Sequence, residues 1–155
     1  MSDLPVFNVR PARRSEYKVI VEFQLAMALE TEQLQLDSKL VNKGVSEVFR
    51  RPELGCYYVV EAGEQIIASL LTTYEWSDWR CGQVIWLQSV YVLPQWRRQG
   101  VFRAMYGYIR DKVLADPAYK GIRLYVERNN RSAQEVYRSM GMEDHHYRMW
   151  EWMRS

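Results

Sequence analysis

The stretch "QWRRQGVFRAMY", Gln95–Tyr106, sets three arginines around one glycine at the start of a helical pattern. From Phe102 the apolar residues recur at Met105, Tyr106, Ile109 and Val113, a stripe one helix face wide. Arginines are out of place there, because the positive end of a helix macrodipole favours acidic side chains. Arg97, Arg98 and Arg103 therefore predict an anion seated against the helix start. Backbone N–H groups at that end lack intrahelical partners, and Gly100 lets a ligand approach them closely.

Upstream, "GQVIWLQSVYVL" (Gly82–Leu93) reads as a strand apolar on both faces and stopped by Pro94, as expected at a sheet centre. Downstream, "GIRLYVE" (Gly121–Glu127) is a second strand. A strand, helix and strand in this order form a right-handed crossover, so the two strands should be parallel neighbours. Earlier, "CYYVVEA" and "QIIASLLTTYEW" flank Gly63 and Glu64 and read as a hairpin. "VFNVRPA" is a first strand stopped by Pro11. A helix with Ser15 as N-cap carries Ile20, Phe23 and Met27, and a second begins at Ser38 on Val41, Val45, Val48 and Phe49. At the other end, "SAQEVYRSMG" is a short helix closed by Gly141, and "YRMWEWM" a terminal strand. The order β-α-α-β-β-β-α-β-α-β predicts a mixed α+β sheet with helices on both faces.

Composition limits what the anion can be. At 155 residues, 48% hydrophobic and 26% charged, the chain is sized for a single domain spanning residues 1–155. Its net charge is only +2, from 21 basic and 19 acidic residues, too balanced for a nucleic-acid-backbone binder, so the arginines act locally. Cys56 and Cys81 sit in apolar segments without metal-ligand spacing, which predicts buried reduced thiols, no metal site and a cytoplasmic setting. No apolar run approaches the roughly 18 residues of a membrane span, so no membrane partner is expected. His145 and His146 point opposite ways along an extended chain and receive no role.

A second element, "NNRSAQEVYRSMGM" (Asn129–Met142), repeats Ala133, Val136, Tyr137 and Met140 at helical spacing. Ala133, Val136 and Met140 read as a core face, whereas Tyr137 carries a phenol that must place a donor and an acceptor. Together the two elements resemble the GNAT-type N-acetyltransferase superfamily. Its loop, Arg/Gln-x-x-Gly-x-Gly/Ala, is matched by Arg97-Arg98-Gln99-Gly100-Val101-Phe102, with Phe102 replacing the second small residue. Its Asn-x-x-Ala-x-x-x-Tyr-x-x-x-Gly-Phe motif is met by Asn130, Ala133, Tyr137 and Gly141, with Met142 in the Phe position. The resemblance extends over nearly the whole chain.

The resemblance implies an acyl-CoA N-acyltransferase fold: a mixed, mostly antiparallel sheet of six to seven strands, its central parallel pair splayed into a V. It implies acetyl-CoA in that opening as acyl donor, its pantetheine arm along the backbone of Val90, Tyr91 and Val92. The pyrophosphate would lie on the amides from Arg98 to Arg103, through Gln99, Gly100, Val101 and Phe102, with Arg97 nearby. Asn130 and Ala133 would belong to the cofactor site, and Tyr137 would protonate the leaving sulfur. An amine attacks the thioester directly, through a tetrahedral intermediate stabilised by an amide near Val90.

The acceptor amine is less constrained. "YEWSDWRCGQVIWLQSVYV" is similar to the diamine acetyltransferases, but their Glu-Asp pair is here Gln88 and Ser89. Proton removal then falls to a water held by Gln88 or to Glu30, Glu32 or Asp78, for each of which a merely acidic surface loop is the competing reading. Trp76, Trp79 and Trp86 flank Asp78 in sequence and offer faces for an ammonium group, Trp86 being the better candidate for the core. The expected activity is acetyl transfer to a primary amine of a small molecule. Acetylation of a peptide or protein amine, or a catalytically silent acyl-CoA-binding regulatory module, are the alternatives. The apolar terminal strand suggests a homodimer.

Overall fold

The computed structural model describes residues 5–155, which fall into two compact units divided between Tyr125 and Val126. In the first, β1 (Phe7–Pro11) is followed by α1 (Tyr17–Glu32) and α2 (Ser38–Arg50). Then come β2 (Cys56–Ala62), β3 (Gln65–Ser77), β4 (Gly82–Val92), α3 (Val101–Ala115) and β5 (Tyr119–Leu124). The second unit holds α4 (Arg131–Ser139).

The five strands make one mixed sheet in the order β1-β2-β3-β4-β5. The first four pair antiparallel, and β4 pairs parallel with β5 from Gln83↔Tyr119 to Leu87↔Leu124. Adjacent residues of β2 show how the layers form, because consecutive strand side chains point to opposite faces. Tyr57 stacks on Phe49 of α2, 5.7 Å between ring centres, in a core with Ile20, Val21, Val45 and Val59. Tyr58 meets Tyr108 of α3 at 5.6 Å. The apolar stripe of α3 buries Val101, Met105 and Ile109 against its own face of the sheet.

Local chemistry sets the boundaries. Asp37 caps α2 by accepting the N–H groups of Lys39 and Leu40, at 2.9 and 3.5 Å. Ser15 does not cap α1. It lies inside a short 3-10 turn, Arg14–Glu16, where the Glu16 carboxylate accepts the Arg13 N–H at 2.7 Å and so fills the capping role.

Three expectations are corrected. The described sheet has five strands rather than six or seven, so the parallel pair lies at its edge and not at its centre. "YRMWEWM" forms no strand, and Trp150 and Trp152 are 91% and 88% exposed. Alternating apolar residues favour an extended chain, but a strand needs a ladder partner, and the unit Val126–Ser155 contains no other strand. Cys81 is exposed in the β3–β4 turn at φ 49°, and Cys56 is half-buried, so only Cys56 has the thiol environment expected.

Candidate active site

Beyond Leu87↔Leu124 the two parallel strands part company: β5 ends, while β4 continues to Val92. On its other side β4 stays paired with β3 as far as Ala68↔Val92. The register slips once, so that Ser89 and Val90 together oppose Leu70. This is a β-bulge, and Ser89 carries it at φ 51°, a left-handed conformation uncommon for a residue with a side chain. Past the bulge, the Leu93 N–H reaches the Ile67 carbonyl at 2.9 Å. Backbone polar groups alternate sides along a strand, so Tyr91 and Leu93 face β3, and the amides of Val90 and Val92 and the carbonyl of Val90 turn toward the open side, where the Val92 carbonyl already accepts from Arg97 Nε. An extended ligand laid there would complete a ladder.

The chain leaves β4 through a 3-10 turn, Pro94–Trp96, and enters α3 with Arg98 at φ 63° and Gly100 at φ 82°. Two left-handed residues within three positions bend the loop in the manner of an anion-binding nest. A Cβ on Gly100 would meet nothing within 4 Å, so its glycine is demanded by backbone conformation and not by crowding. The first bond of the helical ladder runs from the Ala104 N–H to the Gly100 carbonyl at 3.0 Å. The amides of Val101, Phe102 and Arg103 precede it, at the positive end of the helix.

Arg97 makes two hydrogen bonds within the protein. Its Nε donates to the Val92 carbonyl at 2.9 Å and its Nη2 pairs with Glu30 Oε2 at 2.7 Å. Tyr91 donates its hydroxyl to Glu30 Oε1 at 3.1 Å, and the Arg97 guanidinium lies 5.5 Å from the centre of the Tyr91 ring. The Arg97 hydrogen bond holds the Glu30 carboxyl below its ordinary range, while burial and Glu30 push the Tyr91 phenol up. Arg98 is exposed at the bend.

Glu30 thus stands at the far end of β4, whereas Asp78 precedes its first residue and accepts the N–H of Trp79 at 3.0 Å. Nine strand residues, about 30 Å, separate Gly82 from Tyr91. The two carboxylates do not converge. Glu32 ends α1 and is exposed. Trp79 is exposed, and Trp86 stacks on Tyr125 at 4.8 Å. Gln88 donates its amide nitrogen to the Thr73 hydroxyl, which leaves its side-chain oxygen as the acceptor. Nothing in the sequence singled out the Tyr91–Glu30–Arg97 cluster, whose members come from two distant segments.

In the second unit, Asn130 Oδ1 accepts the Ala133 N–H at 3.2 Å and caps α4. Gly141, at φ 85°, closes the helix: its N–H bonds the Arg138 carbonyl at 3.0 Å, and the Met142 N–H bonds the Tyr137 carbonyl at 3.1 Å. Helix start and stop therefore account for the spacing of Asn130, Ala133 and Gly141. They do not account for the hydroxyl of Tyr137, whose pKa burial raises above that of an ordinary phenol. Among the described residues no group of His, Cys, Asp and Glu could hold a metal ion, and no helix is long and apolar enough to cross a membrane.

No curated protein matches the chain in sequence. Among solved structures, a possible acetyltransferase from Clostridium difficile 630 is 36% identical, with 97% of this chain and 99% of that one covered and a TM-score of 0.89. A predicted acetyltransferase with acetyl-CoA from Clostridium acetobutylicum shares the fold at 18% identity, coverage of 97% and 96%, and a TM-score of 0.70. So does a ribosomal-protein-alanine N-acetyltransferase from Brucella melitensis, at 8% identity, coverage of 96% and 100%, and a TM-score of 0.76. Residues 20–142 match the acetyltransferase (GNAT) family. A strand pair that opens beside a glycine-started helix is thus found in a sequence whose own match runs from α1 through the end of α4, and the chain belongs to the GNAT family of acetyltransferases.

Proposed function

We propose that the protein transfers an acetyl group from acetyl-CoA to a primary amine of a small molecule. The observation that carries this reading is the parting of β4 from β5 after Leu87, immediately before the loop that starts α3. The backbone of Val90 and Val92 is suited to pair with an extended pantetheine arm, and Tyr91 between them keeps the strand on β3. The amides from Arg98 to Arg103, through Gln99, Gly100, Val101 and Phe102, are suited to a pyrophosphate, with Arg98 and Arg103 supplying charge and Arg97 positioning the loop from Glu30. Asn130 and Ala133 enter the cofactor site by the family motif.

The donor supplies an activated thioester carbonyl. The Val90 amide stabilises the negative charge that develops on the carbonyl oxygen, its direction set by the bulge at Ser89. Tyr137 gives a proton to the departing sulfur; a pKa above the usual phenol value keeps it protonated at neutral pH. Gln88 holds, through its side-chain oxygen, the water that takes the amine's proton. With Glu30 tied to Arg97 and Asp78 at the other end of β4, no pair of carboxylates awaits a second ammonium group. This favours an α-amine over a polyamine: an α-amine has a reference pKa near 8 against about 10.4 for an alkyl amine and needs less help in losing its proton.

The test is thiol release from acetyl-CoA against amino acids, peptides, aminoglycosides and polyamines. Turnover with α-amines above that with spermidine supports the proposal. Absence of turnover with every class, together with tight acetyl-CoA binding, would turn the reading toward a silent acyl-CoA-binding module.

A further inference from the structure

The end of the sheet remote from this groove carries a second recess that the acetyl-transfer reading does not use. Trp76 of β3, Gln83 of β4 and Tyr119 of β5 are cross-strand partners in one row. Tyr74 lies two residues before Trp76 and shares its face. These four residues and Glu53 line an open recess of about 520 Å³. Two observations give it a chemical preference. Gln83 Oε1 is covered and has no hydrogen-bond partner among the described residues, so a turn of this side chain into the recess would bring an unsatisfied acceptor between the aromatic rings. Glu53 is the one charged residue of the lining, and Arg51 Nε engages one of its oxygens at 2.8 Å. Acceptor, carboxylate and π faces all favour a cation that can donate.

Tyr74 and Tyr119 are also walls of a neighbouring cavity of about 390 Å³, lined by apolar side chains including Val48, Phe49 and Ile85. Its charged residue is Lys112, whose ammonium lies 5.9 Å from the centre of the Tyr58 ring. The two share Tyr74 and Tyr119 as walls, so a hydrocarbon chain on a cationic head in the first recess enters the second if these rings shift, and a second cation on that chain would meet Lys112.

We propose that this end of the sheet is a binding site for a primary alkylammonium ion carrying a single charge: the head lies among Tyr74, Trp76 and Tyr119 with an N–H on Gln83 Oε1, and the chain lies in the cavity behind Tyr74. Gln83 is six residues from Ser89, about 20 Å along the strand. The site is therefore distinct from the acetyl-transfer groove and does not rest on that assignment.

Calorimetric titration of the full chain with hexylammonium chloride, 1-hexanol and 1,6-hexanediammonium tests it. Hexylammonium should bind at least about ten-fold more tightly than either of the others. Trp76→Leu and Glu53→Gln lie at exposed positions, so both should fold with an unchanged melting temperature, and each should weaken hexylammonium by about ten-fold. Acetyl-CoA thiol release should be unaltered in both. Equal affinity for hexanol and hexylammonium, or undiminished binding in both folded variants, would overturn the proposal.

Discussion

Arg97 Nη2 lies 2.7 Å from Glu30 Oε2, a contact that spans 67 residues and fastens the loop ahead of α3 to the last turns of α1. The pair is partly exposed, so its worth is that of a surface ion pair, below about 1 kcal/mol. Glu30 has its pKa lowered, first by the Arg97 hydrogen bond. A carboxyl with a depressed folded pKa contributes its stability above the unfolded value and loses it as pH falls through the folded one. Glu30→Gln should therefore lower stability to urea by less than about 1 kcal/mol at pH 7, and the difference from the parent protein should vanish in acid. A difference that persists at pH 3 would show that the carboxylate charge is not what Arg97 recognises.

The loop proposed to hold the pyrophosphate can be probed at Gly100. Gly100→Ala introduces only the left-handed strain, about 1–2 kcal/mol, because its Cβ meets nothing within 4 Å. Gly100→Asp adds a negative charge at the same place. Acetyl-CoA affinity measured by calorimetry should fall modestly in the first and by at least about 100-fold in the second, since a repelled pyrophosphate forfeits several charge-assisted hydrogen bonds. Equal affinity in the two variants would remove the pyrophosphate from this loop.

Tyr137→Phe keeps the ring and removes the hydroxyl. Turnover should drop about 100-fold, the scale of one general acid, with acetyl-CoA affinity nearly unchanged. Because burial raises the phenol pKa, the parent protein should lose the acid only at a pH higher than that at which an ordinary phenol titrates. A pH–rate profile shows whether the high-pH fall disappears in the variant. Retention of full turnover would leave Tyr137 a packing residue.

Asp78 sits in the β3–β4 turn, about nine strand residues from Tyr91. Asp78→Asn should leave kcat and KM for any acetylated amine within about two-fold, because a charge that far away is screened beyond a Debye length of roughly 8 Å. A raised KM would mean the acceptor reaches much farther along β4 than proposed.

At the bulge, Ser89 occupies a left-handed conformation between Gln88 and Val90. Ser89→Gly should be tolerated or slightly stabilising, whereas Ser89→Val should cost more than about 1 kcal/mol, β-branching being worst suited to positive φ. Urea denaturation gives the stability. If the bulge aims the Val90 amide, Ser89→Val should also slow turnover in whatever fraction remains folded.

Where local rules decide, the sequence is readable. Gly63 and Glu64 turn the β2–β3 hairpin, Ser38 opens α2, and Pro94 ends β4, each by the conformational limits of one or two residues. The crossover β4–α3–β5 is readable for the same reason, since chirality leaves it one hand. The family motifs were visible as spacing, and the structure explains Asn130, Ala133 and Gly141 as a helix start and stop. What could not be read depends on partners far away in sequence. No residue pattern announces that Arg97 will choose Glu30, or that Ser89 will bulge, because both follow from register and packing. Likewise, "YRMWEWM" has the alternation of a strand, but pairing is a property of two segments and alternation of only one.

The parting of the two parallel strands also makes their lifetimes unequal. β5 pairs with β4 over a short stretch across a separation of 36 residues, Gln83 to Tyr119, and none of its residues is fully buried, whereas β2 and β3 bury Tyr57–Val60 and Ile67–Leu70. Closing so long a loop is costly in entropy and is rewarded by few contacts. Amide hydrogens of β5 should accordingly exchange with solvent well before those of β2 and β3, through openings that leave the rest of the sheet intact. β4 therefore has a slow-exchanging neighbour, β3, along its whole length on one side, and on the other a partner that opens often and stops at Leu87. The stretch from Gln88 to Val92 is held from one side only, so a long, thin ligand can be laid along it without any strand having to leave.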